Sequence, residues 1–400
     1  MGRITFSFVW LFFMLFIHSC SEEDLVSERD SFLKILDDTN AEVNYHPIDI
    51  IELENAFLVL AGTTLTNTDF QGVQLIRTTK NGDFIEEEEL PNLVVPIKSL
   101  HLQTDESDSI ISFIAMNPTT LNPVRTSLTT QLDVLNEESF NGLQYPLAAS
   151  TSEDNDLILL SYNPVNAQSV VSEIRADGSA NSAAYSIGPG DDVEEDIINH
   201  YLGASERSLP FFCGKTTDGI AYFNGFYNFT FSLVFTDFGA SPSGVVQGQS
   251  TNAGTRALLP LGARQYAISG FQFEENFQVP SIELSNASIS SSADLFTENL
   301  PNVREYSPTE IILYNNSDEY VIFGSETKGR QIVLNFYNRS IGNILSGAHR
   351  IGISNPFEFS TLTQTTDAGI VVLGTTFVAG RFQRIALIKL SAQEIAAINS

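Results

Sequence analysis

The sequence predicts an all-β fold: a seven-bladed β-propeller of four-stranded antiparallel blades, preceded by a secretory signal and a short tether. Three observations carry this expectation. A short apolar strand ending in glycine and a hydroxyl residue recurs along the chain, the recurrences are evenly spaced, and tight-turn residues punctuate the intervals at hairpin spacing.

The clearest copies are Leu58-Val59-Leu60-Ala61-Gly62-Thr63-Thr64, Val321-Ile322-Phe323-Gly324-Ser325 and Val371-Val372-Leu373-Gly374-Thr375-Thr376. Poorer copies are Tyr266-Ala267-Ile268-Ser269-Gly270 and Ala221-Tyr222-Phe223-Asn224-Gly225. Gly225, Gly270, Gly324 and Gly374 stand about 45 to 54 residues apart, and the gap from Gly62 to Gly225 is close to three such intervals. Two degenerate copies are therefore expected inside it, and Ile110 to Met116 and Leu157 to Tyr162 fit, each a strand without the glycine. The result is seven units of a length suited to propeller blades.

Within a unit the punctuation fits four strands. A polar turn precedes the glycine strand, as in Thr217-Asp218-Gly219, Asn316-Ser317-Asp318-Glu319 and Thr366-Asp367-Ala368-Gly369. An apolar strand follows it, as in Val73 to Arg77, Val170 to Arg175, Ile332 to Phe336 and Ile385 to Leu390. Next comes a second tight turn, strongest at Asn81-Gly82 and Asp177-Gly178, whose residues tolerate the left-handed backbone of a two-residue hairpin. The fourth strand carries the weakest pattern, as expected of a blade's outer edge.

With these units the chain resembles lipoprotein and secreted propellers of Bacteroidota. Their blades read apolar strand, Thr-x-Asp-Gly-Gly, apolar strand, Gly-Ser/Thr, then an apolar strand with Lys. The last unit matches best through Thr366, Asp367, Gly369, Gly374, Thr375 and Ile385-Ala386-Leu387-Ile388-Lys389-Leu390, with Ala368 standing where the first paired glycine would be. The resemblance spans residues 47 to 395 and implies architecture; a fold shared by many activities implies little about function.

The amino terminus follows a different logic. Arg3 and the apolar run from Ile4 to Ile17 form the charged and apolar regions of a secretory signal. The run is shorter than the roughly 20 residues a helix needs to cross a bilayer. It ends Ile17-His18-Ser19-Cys20, which resembles the lipobox of bacterial lipoproteins, with His18 as a departure. That resemblance implies cleavage before Cys20 and acylation of this cysteine, several chains holding the membrane far more firmly than one. Ser21, Glu22, Glu23 and Asp24 look like the export signal of Bacteroidota surface lipoproteins, which implies an outer-membrane protein facing the cell exterior. Residues 1–19 are read as signal peptide, 20–45 as an acidic tether and 46–400 as the propeller. Leu25, Phe32, Leu33 and Leu36 stand at roughly helical spacing, so the tether ends either in a short helix or in a strand that closes the ring.

The chain carries 20 Lys plus Arg against 49 Asp plus Glu, a net charge of −29, and loses Arg3 with the signal. Such a balance repels phosphate backbones and argues against nucleic acid as a partner. Cys213 is the one cysteine beside Cys20, so no disulfide is available within the mature body, and its setting Phe211-Phe212-Cys213-Gly214 suits a small core hydrophobe. Trp10, the one tryptophan, leaves with the signal, so tryptophan stacking on sugars is excluded.

His46, His101, His200 and His349 fall at no metal-ligand spacing, and no local nucleophile, zinc or phosphate-loop motif occurs. Acidic clusters lie at Glu86 to Glu89, Asp105-Glu106-Ser107-Asp108, Glu153-Asp154-Asn155-Asp156 and Asp191-Asp192-Val193-Glu194-Glu195-Asp196. Calcium wants six to eight oxygens. The last cluster, after Gly188-Pro189-Gly190, is the best calcium candidate, while solvated turns explain all four. Asp108-Ser109-Ile110 resembles the O-glycosylation site of the same bacteria.

No catalytic, cofactor or metal residue is assigned from this reading. The expectation is a membrane-anchored, non-catalytic propeller that binds protein or acts as a scaffold within an outer-membrane complex. A receptor for extracellular glycan or peptide beside a transporter is the first alternative. A hydrolase or lyase with carboxylates from several blades is the second.

Overall fold

A computed structural model describes residues 30–36, 43–64, 70–104, 109–152, 154–188, 191–202, 209–250, 252–296, 300, 302–352, 355–378 and 382–399. Cys20 and Ser21 to Asp24, with the signal segment, lie outside them, as do Asp105 to Asp108 and Glu153.

Strand β1 (Phe32–Leu36) precedes a series of antiparallel meanders. β2 (Asn44–Glu52), β3 (Ala56–Thr64), β4 (Gly72–Thr79) and β5 (Phe84–Val94) form one. β6 (His101–Thr104), β7 (Ser109–Met116), β8 (Pro123–Leu128) and β9 (Val134–Ser139) form another, joined to the first by the single pair Val94 and Met116. β10 (Pro146–Thr151), β11 (Leu157–Asn163), β12 (Gln168–Ile174) and β13 (Ala180–Ser186) make the next sheet, followed by helix α1 (Asp191–Leu202). Then come β14 (Phe212–Lys215), β15 (Ala221–Tyr227), β16 (Thr230–Thr236) and β17 (Gly244–Gln247), and a sheet of β18 (Ala253–Gly262), β19 (Gln265–Gln272) and β20 (Glu275–Glu283). After the short β21 (Ile289–Ser291) follow β22 (Glu310–Asn315), β23 (Glu319–Glu326), β24 (Ile332–Asn338) and β25 (Ile344–Ile351). The last sheet holds β26 (Phe357–Gln364), β27 (Ile370–Val378) and β28 (Phe382–Leu390), and helix α2 (Ala392–Ile398) ends the described chain.

The second strands β3, β11, β15, β23 and β27 are buried almost end to end. A strand buried on both faces reads as a continuous apolar run, which is why these are the segments that recur visibly in the sequence. Each sheet is covered by its neighbours: Leu58 and Leu60 of β3 pack with Ile111 and Phe113 of β7, and Ile114 of β7 with Leu159 of β11. Leu160 of β11 meets Phe223 of β15, and Phe235 of β16 meets Ile268 of β19. Ala267 of β19 meets Phe323 of β23, and Ile332 of β24 meets Leu362 of β26. Val59 of β3 closes the circle against Val371 and Leu387 of the last sheet. The body is thus an all-β, propeller-like ring of antiparallel sheets.

Four first strands carry an extra residue: Ile48 in β2, Leu147 in β10, Arg256 in β18 and Ser360 in β26. Three of the recurring glycines sit beside these bulges, Gly62 opposite His46, Gly270 opposite Thr255 and Gly374 opposite Phe359. A Cβ on Gly374 would lie 2.5 Å from the Glu358 carbonyl oxygen, and one on Gly270 2.6 Å from that of Gly254. At these two positions a neighbouring backbone comes too close for a side chain, whereas at Gly62 the space is taken by the Gln71 side chain and at Gly324 by those of Leu362 and Phe359.

In the last unit, the Asp367 carboxylate accepts from the Gly369 amide at 3.2 Å and from the ammonium of the buried Lys389 at 2.5 Å. That contact clamps the last unit's turn to the strand after next. Ala368 has φ +59°.

The structure corrects two expectations and decides a third that was open. The sheet of β18 to β20 has three strands; β21, where a fourth would lie, pairs in parallel with β17 and makes that sheet five-stranded. The segment after β20 is Ser-rich with little to bury, and the four-residue β17 leaves a free edge for it. The acidic run after Gly188 forms α1 and no cation-binding loop. Val193, Ile197 and Tyr201 at helical spacing supply an apolar stripe packed on β11 and β15, and acidic residues suit a helix amino terminus. Of the two forms expected for the end of the tether, Phe32 to Leu36 take the ring-closing strand, pairing antiparallel with β28 from Phe32 opposite Lys389 to Leu36 opposite Ile385. Phe32 buries its ring against Gly82 of the first meander, and Lys34 pairs with Asp83 at 2.6 Å.

Two substitutions check this packing. Phe32→Ala should cost about 3 kcal/mol or more in urea unfolding, as for other buried Phe truncations; a cost below about 1 kcal/mol would show that β1 is not docked. Ala368→Gly should stabilise by about 1 kcal/mol by relieving left-handed backbone, read as a raised Tm; a lowered Tm would contradict the turn geometry.

Candidate functional site

The first strands line a central channel of about 870 Å³. Its wall is built from β2, β10, β18, β22 and β26, the segment between β5 and β6, and residues 199–201 of α1. All four bulged residues face it. A bulge turns the local strand and re-aims its side chains, so the recurring irregularity is what dresses the channel.

Three charged groups meet there. Asp49, just past the β2 bulge, is buried, and its carboxylate accepts from the amides of Ile50 at 3.0 Å and Leu100 at 2.8 Å. Burial pushes its pKa up to about 6, outweighing the nearby Lys98 ammonium and the two amides; Glu310 adds to the rise. Lys98 forms an ion pair with Glu310 at the start of β22. Burial lowers the Lys98 pKa, but the charges of Glu310 and Asp49 more than restore it, so the group stays protonated. Lys98 keeps 44 % of its side-chain surface open, so water in the channel screens the pair.

Arg256 occupies the β18 bulge with 5 % of its surface exposed. Its guanidinium lies 4.5 Å from the Phe271 ring centroid and 5.6 Å from that of Tyr306. Nη1 donates to the Ser307 carbonyl oxygen at 3.3 Å. Burial lowers its pKa to about 10, with Tyr306 and Glu305 opposing, which leaves the group charged at neutral pH.

His200 packs edge-on against Phe211 at 4.9 Å, and burial pushes its pKa down to about 4, so it stands neutral in the channel wall. His46 lies 3.1 Å from the Thr64 hydroxyl, with a pKa also lowered by burial. His101 meets Asn155 at 3.1 Å. His349 sits away from the channel on β25. The histidines that share no spacing in sequence are thus partly gathered in space, but each meets a separate partner.

Among the described residues the acidic clusters do not converge. Glu86 pairs with Arg77 at 2.7 Å on an outer strand, and Asp156 pairs with Lys215. Among the described residues no group of three or more His, Cys, Asp or Glu is placed to hold a metal ion. Cys213 donates to the Ile158 carbonyl oxygen at 3.3 Å, and burial pushes its thiol up to about 12, which keeps it protonated. Among the described residues no helix is long and apolar enough to cross a membrane.

Asp49, Lys98, Arg256 and Glu310 were not singled out in the sequence. Each is a lone charge at the edge of an apolar stretch, as in Pro47-Ile48-Asp49-Ile50-Ile51 and Thr255-Arg256-Ala257-Leu258-Leu259. That interruption is the signal that marks them.

The raised Asp49 pKa has a pH consequence. Between about pH 4, the ordinary aspartate value, and pH 6 the folded chain holds a proton that the unfolded chain has released. Asp49 therefore favours the folded state below about pH 4, and this contribution is lost as pH rises through 6. In Asp49→Asn that part of the profile should vanish: the variant should gain up to about 3 kcal/mol relative to the parent between pH 4 and 7, measured by urea unfolding. A pH-independent difference would refute the shift.

No protein-family model and no curated protein matches the chain. Among solved structures it is similar to a streptogramin B lyase, at 12% identity over 90% of this chain and 97% of that one, with a TM-score of 0.48. It is also similar to YCF48 from Cyanidioschyzon merolae, at 8% identity over 90% and 99% of the two chains, with a TM-score of 0.47. For the β-propeller domain of the Trilobed protease from Pyrococcus furiosus, the values are 6% identity, 87% and 95% coverage and a TM-score of 0.43. At these identities none of them lends its activity to this chain.

Proposed function

We propose that the chain is an outer-membrane lipoprotein, held by acyl groups on Cys20 and carried to the cell exterior by Ser21, Glu22, Glu23 and Asp24. Its body is a seven-bladed propeller that works by binding. It is a receptor seating a glycan- or peptide-derived ligand in the central channel, beside an outer-membrane partner protein.

The blade count is supported by buried apolar clusters that each straddle two successive meanders, with the eight-stranded sheet counted as two blades. The observation that carries the receptor reading is the channel itself. A concave site with apolar walls and a few charged groups is the usual form of a small-molecule site, and here Asp49, Glu310 and Arg256 come to it from three separate sheets and Lys98 from the segment between β5 and β6. A scaffold alone gains nothing from burying charges there. The net charge of −29 disfavours nucleic acid as the ligand.

Calorimetry with oligosaccharide and peptide pools should give saturable binding; no heat with either would remove the receptor reading. Gentle solubilisation should recover an outer-membrane partner, and a lone monomer would count against one. For the anchor, Cys20→Ala should abolish acyl labelling and membrane retention, and unchanged labelling would sink it. Protease shaving of intact cells should remove the body if it faces outward.

One observation favours a second reading, a hydrolase or lyase: an Asp49 carboxyl titrating near 6, beside Lys98 and Glu310, is poised for proton transfer at neutral pH. Product formation from a polysaccharide substrate, lost in Asp49→Asn and following an ionisation near pH 6, would establish it. Cleavage unaffected by that substitution would dismiss it.

A further inference from the structure

We propose that Arg256 is the anion-recognition residue of the channel and that its partner is the carboxylate of a small ligand with an apolar body. This deepens the receptor reading and rests on it.

Of the five N–H donors of a guanidinium, one on Nη1 is engaged by the Ser307 carbonyl, while Nε and Nη2 meet no hydrogen-bond partner among the described residues. These two nitrogens form one edge of the planar group, and their N–H bonds run side by side. That edge is the fork that takes both oxygens of a carboxylate at once. Leaving it empty is costly, since a buried charge without hydrogen bonds is among the least favourable arrangements in a protein. Phe271 and Tyr306 lie against the guanidinium but offer no acceptor to the unpaired edge, whose two nitrogens are themselves shut off from water. Glu305 is near enough to act on the charge, yet it forms no ion pair with it. Lys98 and Glu310, in the same channel, already pair with each other.

Position adds a second, independent reason. The equivalent bulges carry Ile48, Leu147 and Ser360, all on the channel wall, and β18 alone places a cation there. The channel wall also includes Leu258, Phe212, Tyr222 and Ile311, which suits an apolar or aromatic body behind the carboxylate.

The probe is 4-fluorobenzoate, followed by fluorine NMR and calorimetry on the intact mature chain, with 4-fluorobenzamide as the neutral control and inorganic phosphate as the competing anion. Saturable binding of the carboxylate, not of the amide, is expected. Arg256→Gln should weaken it by about tenfold or more, and Arg256→Lys should weaken it too, because an ammonium keeps the charge and loses the fork. Circular dichroism on Arg256→Lys checks that the ring is intact. Equal affinity in the parent and both variants would overturn the proposal, as would no carboxylate binding to the folded parent. Phosphate displacing the probe at lower concentration than benzoate would overturn the carboxylate assignment. If oligosaccharide or peptide binding survives while the carboxylate result fails, this proposal falls and the receptor reading stands. If no ligand of any kind binds, the receptor reading falls with it.

Discussion

Burial of both faces of each sheet is the constraint on which the rest of the molecule depends. A sheet whose central strands are apolar throughout must be covered twice, and a row of such sheets would leave one bare face at each end. Curving the row until the first sheet meets the last removes both ends. The cluster that joins Val59 and Ala61 to Val371, Leu373 and Leu387 is therefore what leaves neither end sheet bare. The channel is a by-product of the same closure, because strands arranged around a circle leave space at its centre.

The second strand of each unit was legible because burial on both faces erases alternation and leaves an apolar run. The turn residues were legible because a left-handed backbone restricts composition. Gly62, Gly270 and Gly374 marked the correct strand, though the reason at Gly270 and Gly374, a close backbone at the neighbouring bulge, lies in pairing that no local pattern records. The first strands were harder. β6 and β14 have four residues each, and β2 and β18 mix burial with charge. The site was least legible of all, since Asp49, Lys98, Arg256 and Glu310 come together only when the ring closes. Helix α1 was missed for a different reason: its acidic first turns drew attention from Val193, Ile197 and Tyr201, whose spacing announces a helix.

Electrostatically the molecule is divided. Acidic residues dominate the chain, and many lie on outer strands such as β5 and β9, where water solvates them. The channel instead gathers two cations, Lys98 and Arg256, with two carboxylates. A negative exterior slows the approach of anions, whereas a guanidinium in a low-dielectric wall holds one strongly once it arrives. Such a site favours selectivity over speed of capture.

Strand β1 gives the molecule a mechanical property. Any tension carried by the chain before Phe32 enters the body through this strand, whose five residues pair in register with β28. Force along the strand loads all of those pairings together, in shear, while force away from the sheet opens them one after another. The same strand is the clasp between the last sheet and the turn at Gly82, so the direction of pull decides whether the ring is held shut or unzipped.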